Sequence, residues 1–542
     1  MFNYKRRKSS TVKVGNIEIG GDSPIRVQSM TNTSTLDTEG SVRQAKRIAE
    51  AGGELVRLTT QGTREASNMA EIRRCLDKEG CHVPLVADVH FNPRAAFEAA
   101  TTCEKVRINP GNFVDAARTF KKLEFSDEEY AAELRKIRDA FVPFLDLCAK
   151  NNTAIRLGVN HGSLSDRIMS RYGDTPAGMV QSVMEFLRIA REENFSRIVI
   201  SIKASNVVVM VDTVRLLVKT MEKEGMHFPL HLGVTEAGDG EDGRIKSAAG
   251  IGTLLAEGLG DTIRVSLTED PEYEIPVAKK LCNYITSREG HTPIAEPETT
   301  INDKSRSYSY PIPGFEDVSY PIVVGHDLKS IPENWHIIDA SASPALFGDN
   351  LPVVLTSSHV NPVGEIASWI IRFIALGGKN PVILKMSYSD TCLEDLQIKS
   401  AADLGALLLN GHGSGIMIDA PAFERETINS VALGILQAVR LRTSKTEYIA
   451  CPGCGRTLFD LQSTLKKVKE STYSLKGLKI GVMGCIVNGP GEMADADYGY
   501  VGAGPGQVSL YKGKSLVKKN IPSESAIDEL IALIKENGDW KD

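Results

Sequence analysis

The sequence has no apolar run of the roughly 20 residues that a membrane span requires. Its basic opening, MFNYKRRKSS, is not followed by an apolar stretch, so we expect a solvated N-terminal arm and no secretory signal. An excess of positive charge is also missing. The net charge of −6 argues against nucleic acid or an anionic membrane as a partner. Internal repeats and low-complexity tracts are absent, which excludes a repeat architecture.

A disulfide framework is missing as well, because most of the nine cysteines are scattered. Scattered cysteines are typical of a reduced, cytoplasmic protein. We therefore expect a cytoplasmic protein in which Cys451, Cys454 and Cys485 alone form a group. The scattered cysteines are Cys75, Cys81, Cys103, Cys148, Cys282 and Cys392.

The length of 542 residues exceeds what one hydrophobic core supports, so we expect two or three α/β domains. Residues 1–290 alternate eight β-branched runs with helical segments, as in a closed (β/α)₈ TIM barrel. A doubly wound open sheet is the alternative, but its usual Gly-rich phosphate loop is replaced here by SMTNTST. The predicted strands are Ile25–Met30, Glu54–Thr60, Leu85–Val89, Lys105–Pro110, Ala154–Asn160, Arg197–Ser205, Leu230–Ala237 and Thr262–Thr268.

Two further regions follow the predicted barrel. Residues 291–445 begin with a linker rich in Pro, Glu and Thr, and they hold five buried-strand runs typical of an inserted α/β domain with a structural role. His412 in NGHGSG is interpreted as part of a tight turn at a strand entrance rather than a phosphate loop. Residues 446–542 are Gly-rich, contain the grouped cysteines, and predict a small α+β domain.

Polar side chains recur near the carboxyl ends of the predicted barrel strands, where TIM-barrel enzymes have their active sites. One buried ion pair could be structural, but so many polar residues at one end indicate a site. Arginine forks and a lysine suit phosphate oxygens, so we expect a polyphosphorylated small-molecule substrate. Asp88, His90 and Glu236 add proton-transfer capacity, and zinc or magnesium at Asp88 and His90 is an alternative. The residues are Arg57, Asp88, His90, Arg107, Asn109, Arg156, Asn160, Ser201, Lys203, Glu236, Arg264 and Ser266.

The pair CPGC at 451–454 is by itself compatible with zinc, a redox disulfide or an iron–sulfur cluster. A zinc ribbon needs a second cysteine pair, whereas only Cys485 lies downstream. Three thiolates would leave one iron of a cubane without a cysteine ligand, and that iron can act as a Lewis acid. Glu492 could complete the ligand set or could be a surface carboxylate.

Eight stretches closely resemble the 4-hydroxy-3-methylbut-2-enyl diphosphate synthase family, iron–sulfur enzymes of the methylerythritol phosphate route to isoprenoids. The middle region resembles the insert of the longer, three-domain form, and we expect it to be barrel-like or a partial barrel. The resemblance implies reductive ring opening and dehydration of 2-C-methyl-D-erythritol 2,4-cyclodiphosphate, with ferredoxin or flavodoxin as electron donor, and it allows a homodimer. The stretches are VQSMTNT, LVADVHF, KVRINPGN, IRLGVNHGSL, ISIKAS, GVTEAG, CPGCGRTLFDL and MGCIVNGPGE.

The resemblance also implies a [4Fe–4S] cluster on Cys451, Cys454, Cys485 and Glu492, in a domain similar to the cluster domain of sulfite and nitrite reductases. Asp88, Asn160, Glu236 and Glu492 become the expected catalytic residues. The expected substrate-binding residues are Arg57, His90, Arg107, Asn109, Arg156, Ser201, Lys203, Arg264 and Ser266.

Two other functions stay open from the sequence. A cluster-dependent hydro-lyase would use the open iron without net electron transfer, so reductant dependence separates it from the redox enzyme. A zinc-stabilised scaffold protein would contain no iron after anaerobic purification.

Overall fold

The computed structural model describes residues 2–115, 124–298, 311–487, 489–493 and 495–541. The chain forms two compact units. One comprises Lys8–Asp239, Gly260–Ala278 and Lys445–Asp542, and the other comprises Met1–Arg7, Gly240–Leu259 and Lys279–Ser444. The barrel strands and the grouped cysteines therefore share one unit. The domain boundaries near residues 290 and 445 stay a prediction.

Eight parallel strands close into a barrel, which confirms the predicted TIM barrel. A short hairpin, β1 (Val12–Val14) with β2 (Ile17–Ile19), precedes it. The barrel order is β10-β3-β4-β5-β6-β7-β8-β9, and the strands are β3 (Arg26–Met30), β4 (Leu55–Thr60), β5 (Leu85–Val89), β6 (Lys105–Ile108), β7 (Ala154–Asn160), β8 (Ile198–Lys203), β9 (Leu230–Leu232) and β10 (Thr262–Ile263). The helices are α1 (Thr38–Glu50), α2 (Thr63–Lys78), α3 (Pro93–Ala99), α4 (Asp127–Asn151), α5 (Asp166–Tyr172), α6 (Pro176–Glu192), α7 (Val207–Lys223), α8 (Gly240–Ala256) and α9 (Glu274–Thr286).

The hairpin β1–β2 covers the amino end of the barrel. Its buried side chains Val12, Val14 and Ile19 pack with apolar residues near the starts of four barrel strands. Burial of these groups by the hydrophobic effect closes that end, so the carboxyl end is the one left for a site. The barrel partners are Leu55, Val86, Ala154 and Val199.

Two barrel strands end far before their predicted ends. The runs at Leu230–Ala237 and Thr262–Thr268 were expected to be strands throughout, but β9 ends at Leu232 and β10 at Ile263. The backbone at Glu236 has φ of 49°, in the left-handed region, which an extended strand does not allow. Glu236, Arg264 and Ser266 therefore lie on loops beyond the strands.

The other unit contains a five-stranded parallel sheet in the order β11-β15-β14-β13-β12. A closed parallel barrel would have the same strand order with β11 and β12 also paired. Because these two strands are not paired among the described residues, this region is an open sheet, compatible with a partial barrel. The strands are β11 (Ile322–Val323), β12 (His336–Asp339), β13 (Val353–Thr356), β14 (Val382–Ser387) and β15 (Gly415–Asp419), and the helices are α10 (Pro362–Ala375), α11 (Leu393–Leu408) and α12 (Arg425–Ala438).

The expected solvated N-terminal arm is wrong. Tyr4 is buried, and its backbone N–H donates to Nε2 of His291 at 3.0 Å. The backbone N–H of Arg7 also donates to the carbonyl of Gly258 at 2.8 Å. The aromatic ring and these backbone bonds outweigh the solvation of the basic residues around them.

The turn around His412 has the form that the sequence predicts. Gly411 and Gly413 have φ of 77° and 93°, and β15 begins two residues later, at Gly415. His412 is buried and its Nδ1 has no hydrogen-bond partner among the described residues. Burial lowers the pKa of His412 to about 4.

We expect His412 to destabilise the fold as the solution becomes acidic. Its folded pKa of about 4 lies below the unfolded value of 6.5, so the unfolded chain binds more protons between these values. Stability is complete above pH 6.5 and falls towards pH 4, by up to about 3 kcal/mol from this residue. Urea unfolding of the wild type and His412→Leu across this range measures the effect; parallel stability curves would contradict it.

A third sheet follows residue 445 and is mixed. Strands β16 (Glu447–Ala450), β17 (Lys479–Met483) and β18 (Tyr498–Gly504) are parallel, and β19 (Gln507–Lys512) and β20 (Ser515–Pro522) continue antiparallel. Its helices are α13 (Leu461–Thr472), the single turn α14 (Gly489–Glu492) and α15 (Ala526–Glu536). Ala450 forms a parallel bridge with Ala237, after β9, so the edge of this sheet meets the barrel of the same chain. Among the described residues, no helix is both long and apolar enough to cross a membrane.

Candidate active site

A cavity of about 100 Å³ lies at the carboxyl end of the barrel. It brings together fourteen of the predicted site residues. Asn109 and Ser201 do not line it: Asn109 Nδ2 donates to Ser163 Oγ at 3.0 Å, and Ser201 Oγ accepts from Arg156 at 3.4 Å. The fourteen are Arg57, Asp88, His90, Arg107, Arg156, Asn160, Lys203, Glu236, Arg264, Ser266, Cys451, Cys454, Cys485 and Glu492.

Asp88 is the carboxylate at the centre of the cation group. Its Oδ1 lies 3.5 Å from Nη1 of Arg107 and 3.5 Å from Nη2 of Arg156. Burial alone would raise the pKa of Asp88, but the charges of Arg57 and Arg107 outweigh it and hold the pKa well below its usual value. Asp88 is therefore ionised at neutral pH.

His90 is a neutral imidazole in this cavity. Burial, with the nearby charge of Arg107, lowers its pKa to about 3. Arg107 Nη1 lies 3.1 Å from Nδ1 of His90 and donates to the ring, which accepts only when neutral. The other ring nitrogen then carries the hydrogen, so His90 can donate one hydrogen bond to a ligand but carries no charge at neutral pH.

Arg264 is held by a carboxylate that the sequence analysis did not single out. Glu274, at the start of α9, accepts from Nε and Nη2 of Arg264 at 2.9 and 2.8 Å. The same carboxylate accepts from Ser29 Oγ at 2.6 Å and from the backbone N–H of Leu267 at 3.2 Å. This bidentate contact orients the guanidinium towards the cavity.

We expect Glu274→Gln to destabilise the barrel unit by about 3–5 kcal/mol, because breaking a buried ion pair leaves a buried charge uncompensated. Both partners are nearly inaccessible, with side-chain exposures of 3% and 1%. Urea unfolding measures the change. Glu272→Gln is the matched control: its partner Arg47 is 49% exposed, and the cost should stay below about 1 kcal/mol. Equal effects of the two substitutions would contradict the prediction.

Two carboxyl groups meet at the cysteine side of the cavity. Asn160 Nδ2 donates to Oε1 of Glu492, and Asn160 Oδ1 accepts from Nη2 of Arg107 at 3.2 Å. Burial raises the pKa of Glu236 well above its usual value, and the neighbouring Glu492 carboxyl raises it further. Both effects favour the protonated form of the Glu236 carboxyl group.

The cysteines lie on two turns that follow strands β16 and β17. Gly484 has no room for a side chain, since a Cβ would lie 2.9 Å from Thr457 Oγ1, and its N–H donates to Cys451 Sγ at 3.3 Å. On the barrel side, a Cβ on Gly491 would lie 2.6 Å from the carbonyl oxygen of Gly162. These close approaches seat the cysteine turns on the barrel of the same chain.

The donor set fits an iron–sulfur group. Cys451, Cys454, Cys485 and Glu492 all line one cavity, and a backbone N–H already points at a cysteine sulfur. Among the described residues, no three His, Cys, Asp or Glu side chains surround a single ion position, whereas a cluster distributes its ligands over several irons.

Arg456 also lines the cavity, although the sequence analysis did not select it. It is buried, and its Nη2 donates to the carbonyl of Asp88 at 3.4 Å. The signal for it was its position two residues after Cys454.

A closed parallel barrel with buried cations, a buried carboxyl pair and three cysteines around one cavity at its carboxyl end has the architecture of a TIM-barrel enzyme. Two domains of one family match the sequence: the GcpE TIM-barrel domain over residues 9–279 and the GcpE protein C-terminal domain over residues 447–536. The chain belongs to the GcpE family, which is an iron–sulfur family.

Curated relatives match along the whole chain. A protein of Parabacteroides distasonis named 4-hydroxy-3-methylbut-2-en-1-yl diphosphate synthase (flavodoxin) is 55% identical, covering 99% of both chains. Proteins with the same name from Bacteroides fragilis and Akkermansia muciniphila are 54% and 42% identical over 100% of this chain and 97% and 98% of their own. Among solved structures, a dihydropteroate synthase from Stenotrophomonas maltophilia covers 52% of this chain and 99% of its own at 12% identity and a TM-score of 0.35, too low to support an argument.

Proposed function

We propose that the protein converts 2-C-methyl-D-erythritol 2,4-cyclodiphosphate to 4-hydroxy-3-methylbut-2-enyl diphosphate. The observation that carries the proposal is one cavity in which a group of buried cations faces three cysteines and Glu492. The cations suit a diphosphate, and the cysteines suit a redox cofactor. Relatives named for the corresponding synthase, at up to 55% identity over nearly the full length, support the same reaction.

Cys451, Cys454, Cys485 and Glu492 would hold a [4Fe–4S] cluster. When bound, that cluster would supply electrons one at a time and an iron that can act as a Lewis acid. The word flavodoxin in the relatives' names supports flavodoxin as electron donor. Burial raises the pKa of Cys485 to about 11, so loading the cofactor must release a proton from this thiol.

The residues of the barrel bind and orient the diphosphate. Arg57, Arg107, Arg156, Lys203 and Arg264 supply cationic donors, and Ser266 supplies a hydroxyl at the same wall. Neutral His90 adds one hydrogen bond. Asn109 and Ser201 are proposed to support this set from outside the cavity, through their hydrogen bonds with Ser163 and Arg156.

Glu236 holds the proton that the reaction needs at the reacting carbons. Ring opening breaks the C–O bond to one end of the diphosphate, which stays attached at its other end. The balance is two electrons and two protons in and one water out, the water carrying away a substrate hydroxyl. Glu236 donates to that hydroxyl, while Asn160 positions Glu492, and Asp88 fixes Arg107 and Arg156.

All these residues come from one chain, so the proposed site needs no second copy, and a homodimer stays a prediction. A cytoplasmic location belongs to the same proposal. It is supported by the nine cysteines, all described and none in a disulfide.

The test is turnover of the cyclic diphosphate by anaerobically purified holoenzyme with reduced flavodoxin. We expect the open-chain diphosphate as product, no turnover without reductant, and iron and sulfide in nearly equal amounts. Conversion at the same rate without reductant would overturn the proposal in favour of a hydro-lyase. Zinc in place of iron would indicate a scaffold protein.

A further inference from the structure

Arg456 is presented to the cavity by the turn that carries two of the cysteines. The backbone N–H of Thr457 donates to the carbonyl of Cys454 at 2.9 Å, and Thr457 Oγ1 accepts from the N–H of Cys454 at 3.0 Å. These two bonds close a tight turn with Gly455 and Arg456 at its tip.

The tip of this turn packs directly against loops at the barrel mouth. A Cβ on Gly455 would lie 2.7 Å from the carbonyl oxygen of Thr33, and Gln61 Nε2 donates to the carbonyl of Gly455 at 3.4 Å. Arg456 is thereby aimed into the barrel, where its Nη2 reaches the carbonyl of Asp88 at 3.4 Å.

Three cations of this cavity have no carboxylate within 4.0 Å of their charged nitrogens among the described residues: Arg57, Lys203 and Arg456. Their exposures are 7%, 4% and 8%. In contrast, Arg107 and Arg156 contact Asp88, and Arg264 contacts Glu274. A buried charge without a partner is costly, and a bound anion is the natural way to compensate it.

We propose that Arg456 is a substrate-binding residue that contacts the diphosphate from the cysteine side, together with Arg57 and Lys203 of the barrel. Arg456 shares their burial, their lack of a counter-ion and their cavity, but it is attached to a different element. Contact with one anion from both sides would fasten the cysteine turn to the barrel when substrate is present. The identity of the anion rests on the proposed function, whereas the charge argument does not.

The test compares ligand binding to anaerobically purified wild-type, Arg456→Gln and Arg456→Lys holoenzymes without reductant, by calorimetry. The probes are the cyclic diphosphate and inorganic pyrophosphate. We expect Arg456→Gln to weaken both about 10- to 100-fold, the usual loss for a hydrogen-bonded charge contact, with unchanged iron content and cluster absorbance. Lysine keeps the charge but not the fork, so Arg456→Lys should lie between wild type and Arg456→Gln. The control Arg64→Gln removes an exposed arginine of α2 and should change nothing.

If Arg456→Gln binds both probes with the affinity of the wild type, the inference is wrong. This holds even if the substitution shifts the reduction potential of the cluster. If Arg456→Gln loses iron, the test uses Arg456→Lys, provided that its iron content is normal. A ligand affinity at least about threefold weaker than that of the wild type then supports the contact, and an unchanged affinity refutes it. If the wild-type protein binds pyrophosphate through Arg456 but does not bind the cyclic diphosphate, the proposed function is wrong and the role of Arg456 in anion binding is supported.

Discussion

The Cys485→Ser protein should contain little or no iron and sulfide after anaerobic purification, and its turnover should fall by far more than about 100-fold. Substitutions of residues that only hydrogen-bond to a metal ligand already cost about 10- to 100-fold in metal affinity or activity. Loss of a ligand itself should cost more. Serine has nearly the same volume, but its hydroxyl is a much poorer ligand for iron than a thiolate. Metal and sulfide analysis, cluster absorbance and the reductant-dependent assay measure the three losses.

Cys392→Ser is the matched control because that cysteine is exposed and belongs to the other unit. It should keep the iron content and rate of the wild type. Cys485 is partly buried on the turn after β17, so the replacement should not unfold the domain. Full iron content together with full turnover in Cys485→Ser would show that Cys485 is not a ligand.

The barrel could be predicted from the sequence because its strands are buried on both faces. Every residue of Leu55–Thr60 and Ala154–Asn160 is buried, so each forms a mostly apolar run that also contains an arginine. The polar residues at the carboxyl ends were recognisable for the same reason, since a buried strand seldom contains them without a function.

The parts that the sequence did not reveal depend on contacts between distant segments. Glu274 begins an ordinary helix, and only the fold places it against Arg264 and Ser29. Arg456 becomes a cavity residue because Gly455 packs on Thr33, far away in the chain. The strands β9 and β10 end at Leu232 and Ile263, and the left-handed backbone at Glu236, beyond β9, is a local conformation that hydropathy does not encode.

Glu236→Gln should lower kcat by about 10²- to 10⁴-fold, the usual contribution of a positioned acid, with little change in KM. Glutamine preserves the shape and can still donate a hydrogen bond, but it cannot transfer a proton. Steady-state kinetics and iron content measure the effect, and Glu39→Gln, on the 88% exposed Glu39, is the control. A glutamine variant that works at the wild-type rate would remove Glu236 from the chemistry.

The pH profile separates a chemical role of Glu236 from a structural one. Burial and the Glu492 carboxyl raise its pKa, so the acid form persists at pH values where an exposed glutamate is ionised. The wild-type rate should therefore fall as pH rises through the raised pKa, and the glutamine variant should lack this limb. Its stability should change little, because glutamine has the same shape and backbone preferences as glutamic acid and can still donate a hydrogen bond to the Glu492 carboxyl group. A lower rate without a lower stability in Glu236→Gln would indicate that Glu236 acts as a proton donor and not as a structural residue.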